Sequence, residues 1–137
     1  MAVLTRLSMS AKLDNLGRFI ASVSDCAKAQ EFEQEKISKI ELAAEEALVN
    51  IIHYAYPKGP GDVEMICKTE GGRFIIEFID SGIPFDVTAM PDPDVTAGIQ
   101  EREPGGLGIF LMKKVMDKVR YRRENDRNIL TLIIQRH

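Results

Sequence analysis

Cysteine is scarce in this chain, and an excess of positive charge is missing. Cys26 and Cys67 are the two cysteines; they stand far apart and neither has a CxxC partner, so they predict neither a zinc site nor a disulfide framework. Both read as reduced packing residues of a cytoplasmic protein. Lys and Arg number 18 against 21 Asp and Glu, giving a net charge of -3 and a pI near 5.4. That balance lacks the basic footprint needed to neutralise a phosphate backbone, so direct nucleic-acid binding is not expected. No apolar run approaches the roughly 20 residues of a membrane span, and Met1 to Ser10 has no signal-peptide core. Repeats and low-complexity segments are also missing, and the expectation is a soluble, cytoplasmic protein without a membrane partner.

What is present suits one domain over 1–137: 45% of the 137 residues are hydrophobic, enough for a single core in a chain of ordinary domain size. Residues 2–8 read as a first strand. Ser10 is placed to cap a helix over 11–29, in which Leu13, Leu16, Ile20, Val23 and Ala27 recur at helical spacing. A second helix is expected over about 33–55, with a Glu-rich first turn, and Pro57 with Gly59-Pro60-Gly61 stops it. Val63, Met65 and Cys67 alternate with polar residues, and Gly71-Gly72 then turns the chain into the apolar run Arg73 to Asp80, which makes a hairpin. Residues 81–104 hold four of the six prolines and no sustained period, so they read as a long loop, of the kind that is usually functional. A third helix is expected over 107–116, followed by strands over 118–124 and 128–135 joined by an Asn-Asp turn. The order β-α-α-β-β-loop-α-β-β leaves too few helices to cover both faces of a sheet. The fold class is therefore an α+β two-layer sandwich, a mixed and mostly antiparallel sheet with three helices on one face.

Three stretches carry the chemistry. At about 100° per residue, Ile37, Ile40, Ala44, Leu48, Ile51 and Ala55 form the buried stripe of the second helix, and Glu46, Asn50 and His53 fall opposite. Glu46 and Asn50 are four apart and so are neighbours on that surface; an amide oxygen there suits a magnesium ion, and the carboxylate suits orienting or deprotonating a hydroxyl, the alternative being an ordinary solvated helix face. His53 is within reach of a phosphate, but a solvent-exposed or packing role fits it better and it stays outside the catalytic set. Asp80 ends an apolar strand and is followed by Ser81-Gly82: a carboxylate at a strand end can accept from the exocyclic amine of adenine, and a glycine lets a flat ring approach the backbone. The alternative for this stretch is an ordinary Asp-x-Gly turn. Gly105-Gly106-Leu107-Gly108 opens the third helix, where free amides and the helix dipole favour phosphate. It matches neither GxxxxGK[ST] nor a suitably placed GxGxxG, which disfavours a P-loop NTPase and a Rossmann dehydrogenase.

In this order the stretches resemble the ATP-binding boxes of the GHKL superfamily, with its Bergerat fold, and in detail the small anti-sigma-factor serine/threonine kinases of bacterial partner-switching systems. The resemblance runs over nearly the whole chain and is most specific at 45–57, 80–86 and 105–112. It implies ATP and Mg2+ as cofactors, Glu46 as catalytic base, Asn50 as magnesium ligand, Asp80 and Gly82 as adenine contacts, the Gly105 to Gly108 stretch as phosphate loop, and 87–104 as ATP lid, with Arg102 the lid's one basic residue. It implies further that a STAS-domain anti-sigma-factor antagonist is the phosphorylated partner, that a sigma factor is bound in the kinase's other state, and that the protein is a homodimer. Arg127-Asn128 stands where the family often has Gly-Thr before the last strand. Two other readings compete: a non-catalytic ATP-binding switch, against which the intact Glu46 and Asn50 speak, and a histidine-kinase catalytic module, for which the chain has no preceding helix with a phosphoacceptor histidine.

Overall fold

The computed structural model describes residues 1–89 and 106–136. Its elements run β1 (Ala2–Ser10), α1 (Leu16–Ala29), α2 (Gln34–Tyr54), β2 (Asp62–Glu70), β3 (Arg73–Asp80), α3 (Gly106–Val115), β4 (Lys118–Glu124) and β5 (Arg127–Gln135), with short 3₁₀ turns at Leu13–Asn15 and Val87–Ala89. The strands form one sheet in the order β1-β2-β3-β5-β4. Every neighbouring pair is antiparallel, so the expected mixture of directions is corrected to a wholly antiparallel sheet among the described residues. Both tight hairpins follow from their turn residues. Gly71 and Gly72 have φ of 56° and 81°, and Asn125 and Asp126 have φ of 51° and 61°; positive φ at both central positions matches the right-handed twist of the flanking strands.

Alternation along the strands sends Val63, Met65, Cys67, Phe74, Ile76, Phe78, Leu130, Leu132 and Ile134 into one core with α1, α2 and α3. Helix α2 lies between the other two, in contact with each. The opposite sheet face carries no helix among the described residues. Its isoleucines, Ile66, Ile75, Ile129 and Ile133, are buried all the same, beside an ion network in which Glu77 meets Lys68 and, at 3.8 Å, Arg122.

Two expectations at the first helix are corrected. Ser10 closes β1 and caps nothing: its carbonyl accepts from the Asn15 side chain at 2.9 Å, a 3₁₀ turn intervenes, and α1 begins only at Leu16. Leu13 consequently falls outside the regular helix and is exposed, while Phe19 joins Val23 and Ala27 in the core. Helix α1 ends in a Schellman arrangement, in which Phe32 N–H donates to Ala27 O and Glu31 N–H to Lys28 O, with Glu31 at φ 62°.

The fold brings together the two cysteines that the sequence separates. Cys26 on α1 and Cys67 on β2 are free thiols, and burial pushes both above the usual thiol range, Cys67 further.

Candidate functional site

Helix α2 supplies the first wall of the site. Glu46 is half-buried, and Asn50, which the helical wheel places on the side away from the core, is only 3% exposed. A wheel with one buried stripe fits a helix packed on a sheet alone; α2 is also flanked by α1 and α3, its buried arc takes in Ala43, Ala47 and Asn50 as well, and Asn50 lines a pocket with Asp80, Phe85 and Val87. His53, lying at the helix end, is exposed.

Asn50 donates through Nδ2 to the Glu46 carbonyl at 2.8 Å. Its Oδ1 is buried and has no hydrogen-bond partner. A buried amide oxygen left unmade costs roughly 1–3 kcal/mol, and a hard cation or the water around one would satisfy it. No three His, Cys, Asp or Glu side chains converge into a metal cage among the described residues. A single oxygen ligand fits magnesium, which keeps several waters and is commonly held through few protein ligands plus the phosphates of a nucleotide.

The first turn of α3 reaches Glu46 directly. A Cβ built on Gly108 would lie 1.9 Å from Glu46 Oε2 and 2.7 Å from its Cδ, so the glycine is what lets the helix start and the carboxylate share this space. Removal from water, and secondarily the neighbouring Glu45 charge, raises the Glu46 carboxyl above the ordinary glutamate range, the direction that suits a proton acceptor.

Asp80 forms the second wall at the end of β3. It is 5% exposed. Its Oδ1 accepts from Gly82 N–H and from Asn128 Nδ2, both at 2.9 Å. Burial raises its carboxyl; the Asn128 amide, the Gly82 amide and the Arg123 charge, in that order, oppose the rise. Gly82 is required by a close approach: a Cβ there would stand 2.1 Å from the Ala55 carbonyl oxygen, and Ile83 N–H donates to that same oxygen at 2.9 Å. Tyr56 fixes the turn from below, accepting from Ser81 N–H at 2.8 Å and donating to Asp62 O at 2.5 Å.

Between these walls lies a narrow, largely apolar pocket lined by Ala47, Asn50, Ile51, Asp80, Phe85, Val87, Tyr121, Asn128 and Leu130, among others. Phe85 stacks on Tyr54 with ring centroids 5.1 Å apart. The pocket therefore joins Asn50 to Asp80, residues thirty positions apart in sequence.

The predicted set divides as follows. Glu46 and Gly108 are in contact, Asn50 and Asp80 share the pocket, and Gly82 holds Asp80 through its N–H. Gly106, Leu107 and Gly108 form the first turn of α3. Gly105, Arg102 and most of the expected lid, 90–104, lie outside the described residues. The first part of that loop is not a free lid: Val87 is buried within the core cluster, on a 3₁₀ turn started where the Asp86 carboxylate accepts from Thr88 N–H at 2.8 Å. Asn128, Tyr121 and Arg123 belong to the site and were missed. Asn128 is directly across from Asp80 on β5, and Arg123 is directly across from Asn128 on β4; strand register, which the sequence does not carry locally, is what joins them.

Comparison with known proteins shows the family and the fold. Residues 9–134 match the family described as the histidine kinase-like ATPase domain. The serine-protein kinase RsbW of Halalkalibacterium halodurans is 29% identical over 123 residues, 87% of this chain and 75% of the relative. The serine/threonine-protein kinase BtrW of Bordetella bronchiseptica is 30% identical over 92 residues, 66% of this chain and 65% of the relative. Among solved structures, the RsbU and RsbW domains of a Mycobacterium tuberculosis protein superpose over 96% of this chain with a TM-score of 0.65 at 14% identity, and this chain spans 32% of that one. A chain of the SiaB-SiaC complex of Pseudomonas aeruginosa superposes over 97% of this chain and 90% of its own length, with a TM-score of 0.64 at 15% identity.

Proposed function

Because the chain belongs to the histidine kinase-like ATPase domain family, we propose that it is an ATP- and magnesium-dependent serine/threonine protein kinase of the anti-sigma-factor class, acting on a STAS-type antagonist. The observation that carries the nucleotide reading is one pocket holding a buried carboxylate, Asp80, and a buried amide oxygen without a partner on Asn50. The kinase names of the RsbW and BtrW relatives support the reaction.

The residues support a division of labour. Asp80 Oδ2, the oxygen not engaged by Gly82 and Asn128, accepts from the amino group of adenine, and the apolar lining takes the ring faces. Asn50 Oδ1 is the residue atom to hold magnesium, which when bound neutralises phosphate charge. The amides at the start of α3 favour the phosphates. Glu46 orients the partner's hydroxyl and accepts its proton as the hydroxyl oxygen bonds to the γ-phosphorus and the bond from γ-phosphorus to the β-γ bridging oxygen breaks, releasing ADP. Phosphoryl transfer needs little covalent help, so positioning and charge supply most of the rate. The added phosphate then alters the partner's contact surface by charge repulsion, leaving the kinase free to bind a sigma factor.

The test is transfer of labelled γ-phosphate from Mg-ATP to a STAS protein encoded beside this chain. Label on serine or threonine, lost by a factor of about 10²–10⁴ in Glu46→Gln, is the expected result. ATP binding without label on any candidate partner would replace the kinase with a nucleotide-gated interaction module.

A further inference from the structure

Asn128 is buried to 4% exposure and uses its entire hydrogen-bonding capacity. Nδ2 donates to Asp80 Oδ1 at 2.9 Å and to the Ile83 carbonyl at 2.7 Å. Oδ1 accepts from the Tyr121 hydroxyl and from Arg123 Nη1, the latter at 3.1 Å. Arginine is only ever a donor, so the oxygen of the amide must be the atom facing Arg123 and the nitrogen must face Asp80. Arg123 also donates to the Gly82 carbonyl at 2.7 Å, which ties the turn after Asp80 to β4.

We infer that Asn128, oriented by Arg123 and Tyr121, is the residue that sets base specificity at the nucleotide pocket, by occupying Asp80 Oδ1 and leaving Oδ2 as the single carboxylate acceptor for a 6-amino purine. The inference rests on the nucleotide reading above and goes beyond it in assigning a positioning role to a residue outside the three sequence stretches. A carboxylate free to rotate would offer either oxygen in several directions. Here Gly82 N–H and Asn128 Nδ2 both hold Oδ1, and their combined geometry fixes the plane of the group. A ring bearing an amine at position 6 gives Oδ2 a donor; a ring bearing an oxo group there sets one acceptor against another, which leaves a buried charge unpaired. Asn128 has no polar atom left over for the ring, so its effect on a ligand passes through Asp80.

The experiment compares dissociation constants for ATP and for purine riboside triphosphate, which lacks only the 6-amino group, in the presence of magnesium. The wild type is expected to prefer ATP by about tenfold or more, the worth of a hydrogen bond to a charged group. In Asn128→Ala the constant for ATP rises about tenfold while that for the amine-free analogue changes less than twofold, so the preference collapses. Asn128→Thr, which returns one hydroxyl donor at this position, recovers part of it. Tyr121→Phe keeps the pocket wall and removes one anchor of the amide; it shifts the ratio in the same direction by a smaller factor and covers the case in which Asn128→Ala fails to fold. Equal loss for both nucleotides in the folded variants, or an unchanged ratio, overturns the role of Asn128 and leaves the ATP site standing. A wild type that binds neither nucleotide overturns the nucleotide reading itself.

Discussion

At Glu46 the governing quantity is a proton affinity. Burial raises the carboxyl above the ordinary value of 4.5, so the proton-accepting form is lost as pH falls through a folded value above that figure. Transfer activity should show an acid limb positioned above pH 4.5, and the limb should be missing from the residual activity of Glu46→Gln; a wild-type profile flat across that range would remove Glu46 as the base. Asp80 presents the opposite relation between function and stability. Its folded carboxyl is also raised, so across the window from the unfolded value to the folded one the native state binds more protons, stability falls as pH rises, and above the folded value the full cost is in place. Asp80→Asn keeps an acceptor for Gly82 and Asn128 and removes the buried charge, so its melting temperature at pH 7 should exceed that of the wild type while ATP binding is lost. A lower melting temperature would show that the charge is better compensated than Oδ1's two hydrogen bonds and Arg123 indicate.

Between elements, two glycines do similar work against different neighbours, and the difference is measurable. The Cβ of Gly108→Ala would meet the end of a flexible side chain, Glu46, and alanine is favoured over glycine in a helix by at most about 1 kcal/mol, less in a first turn. Stability should therefore be unchanged or slightly higher, while transfer falls as far as in Glu46→Gln because the carboxylate is pushed aside. The Cβ of Gly82→Ala would meet backbone, the Ala55 carbonyl at 2.1 Å, so the turn or the end of α2 must move, at a cost of about 1–3 kcal/mol. Urea unfolding of the two variants separates these cases. Glu31 is a third local site: it holds a left-handed conformation at the end of α1 that glycine adopts freely, and Glu31→Gly should gain about 0.5–1 kcal/mol by the same measurement. These elements also show what was legible in the sequence. Periodicity and turn residues placed α2, both hairpins and α3 to within a residue or two, because each is decided by local chemistry. The start of α1 was misplaced because Ser10 serves β1, whose pairing with β2 is not a local property. The burial of Asn50 was missed because it depends on residues distant in sequence, Phe85, Val87 and Asn128 among them, that line the same pocket, and the roles of Asn128 and Arg123 were missed because they depend on which residues face each other across three strands.

Across the molecule, the sheet brings the strand end at Asp80 and the β5 residue Asn128 together, and α2 carries Asn50 and Glu46 over the same edge toward the start of α3. Each of the three sequence stretches is an ordinary local feature taken singly; the antiparallel order β1-β2-β3-β5-β4 and the packing of α3 on α2 make them one site. The sheet face opposite the helices, with its isoleucines beside the Glu77 ion pairs, is separate from that site, and no helix of the described residues is long and apolar enough to cross a membrane. The central claim is that this site binds nucleotide with magnesium on Asn50, and thermal melting tests it most directly. With Mg-ATP at a hundred times its dissociation constant, a ligand specific to the native state adds about 2.7 kcal/mol. The wild type should melt higher with Mg-ATP than with ATP and EDTA, and Asn50→Ala, freed of its orphaned oxygen and folded at least as stably, should show no difference between the two. A wild type whose melting temperature is the same with and without Mg-ATP would contradict the account.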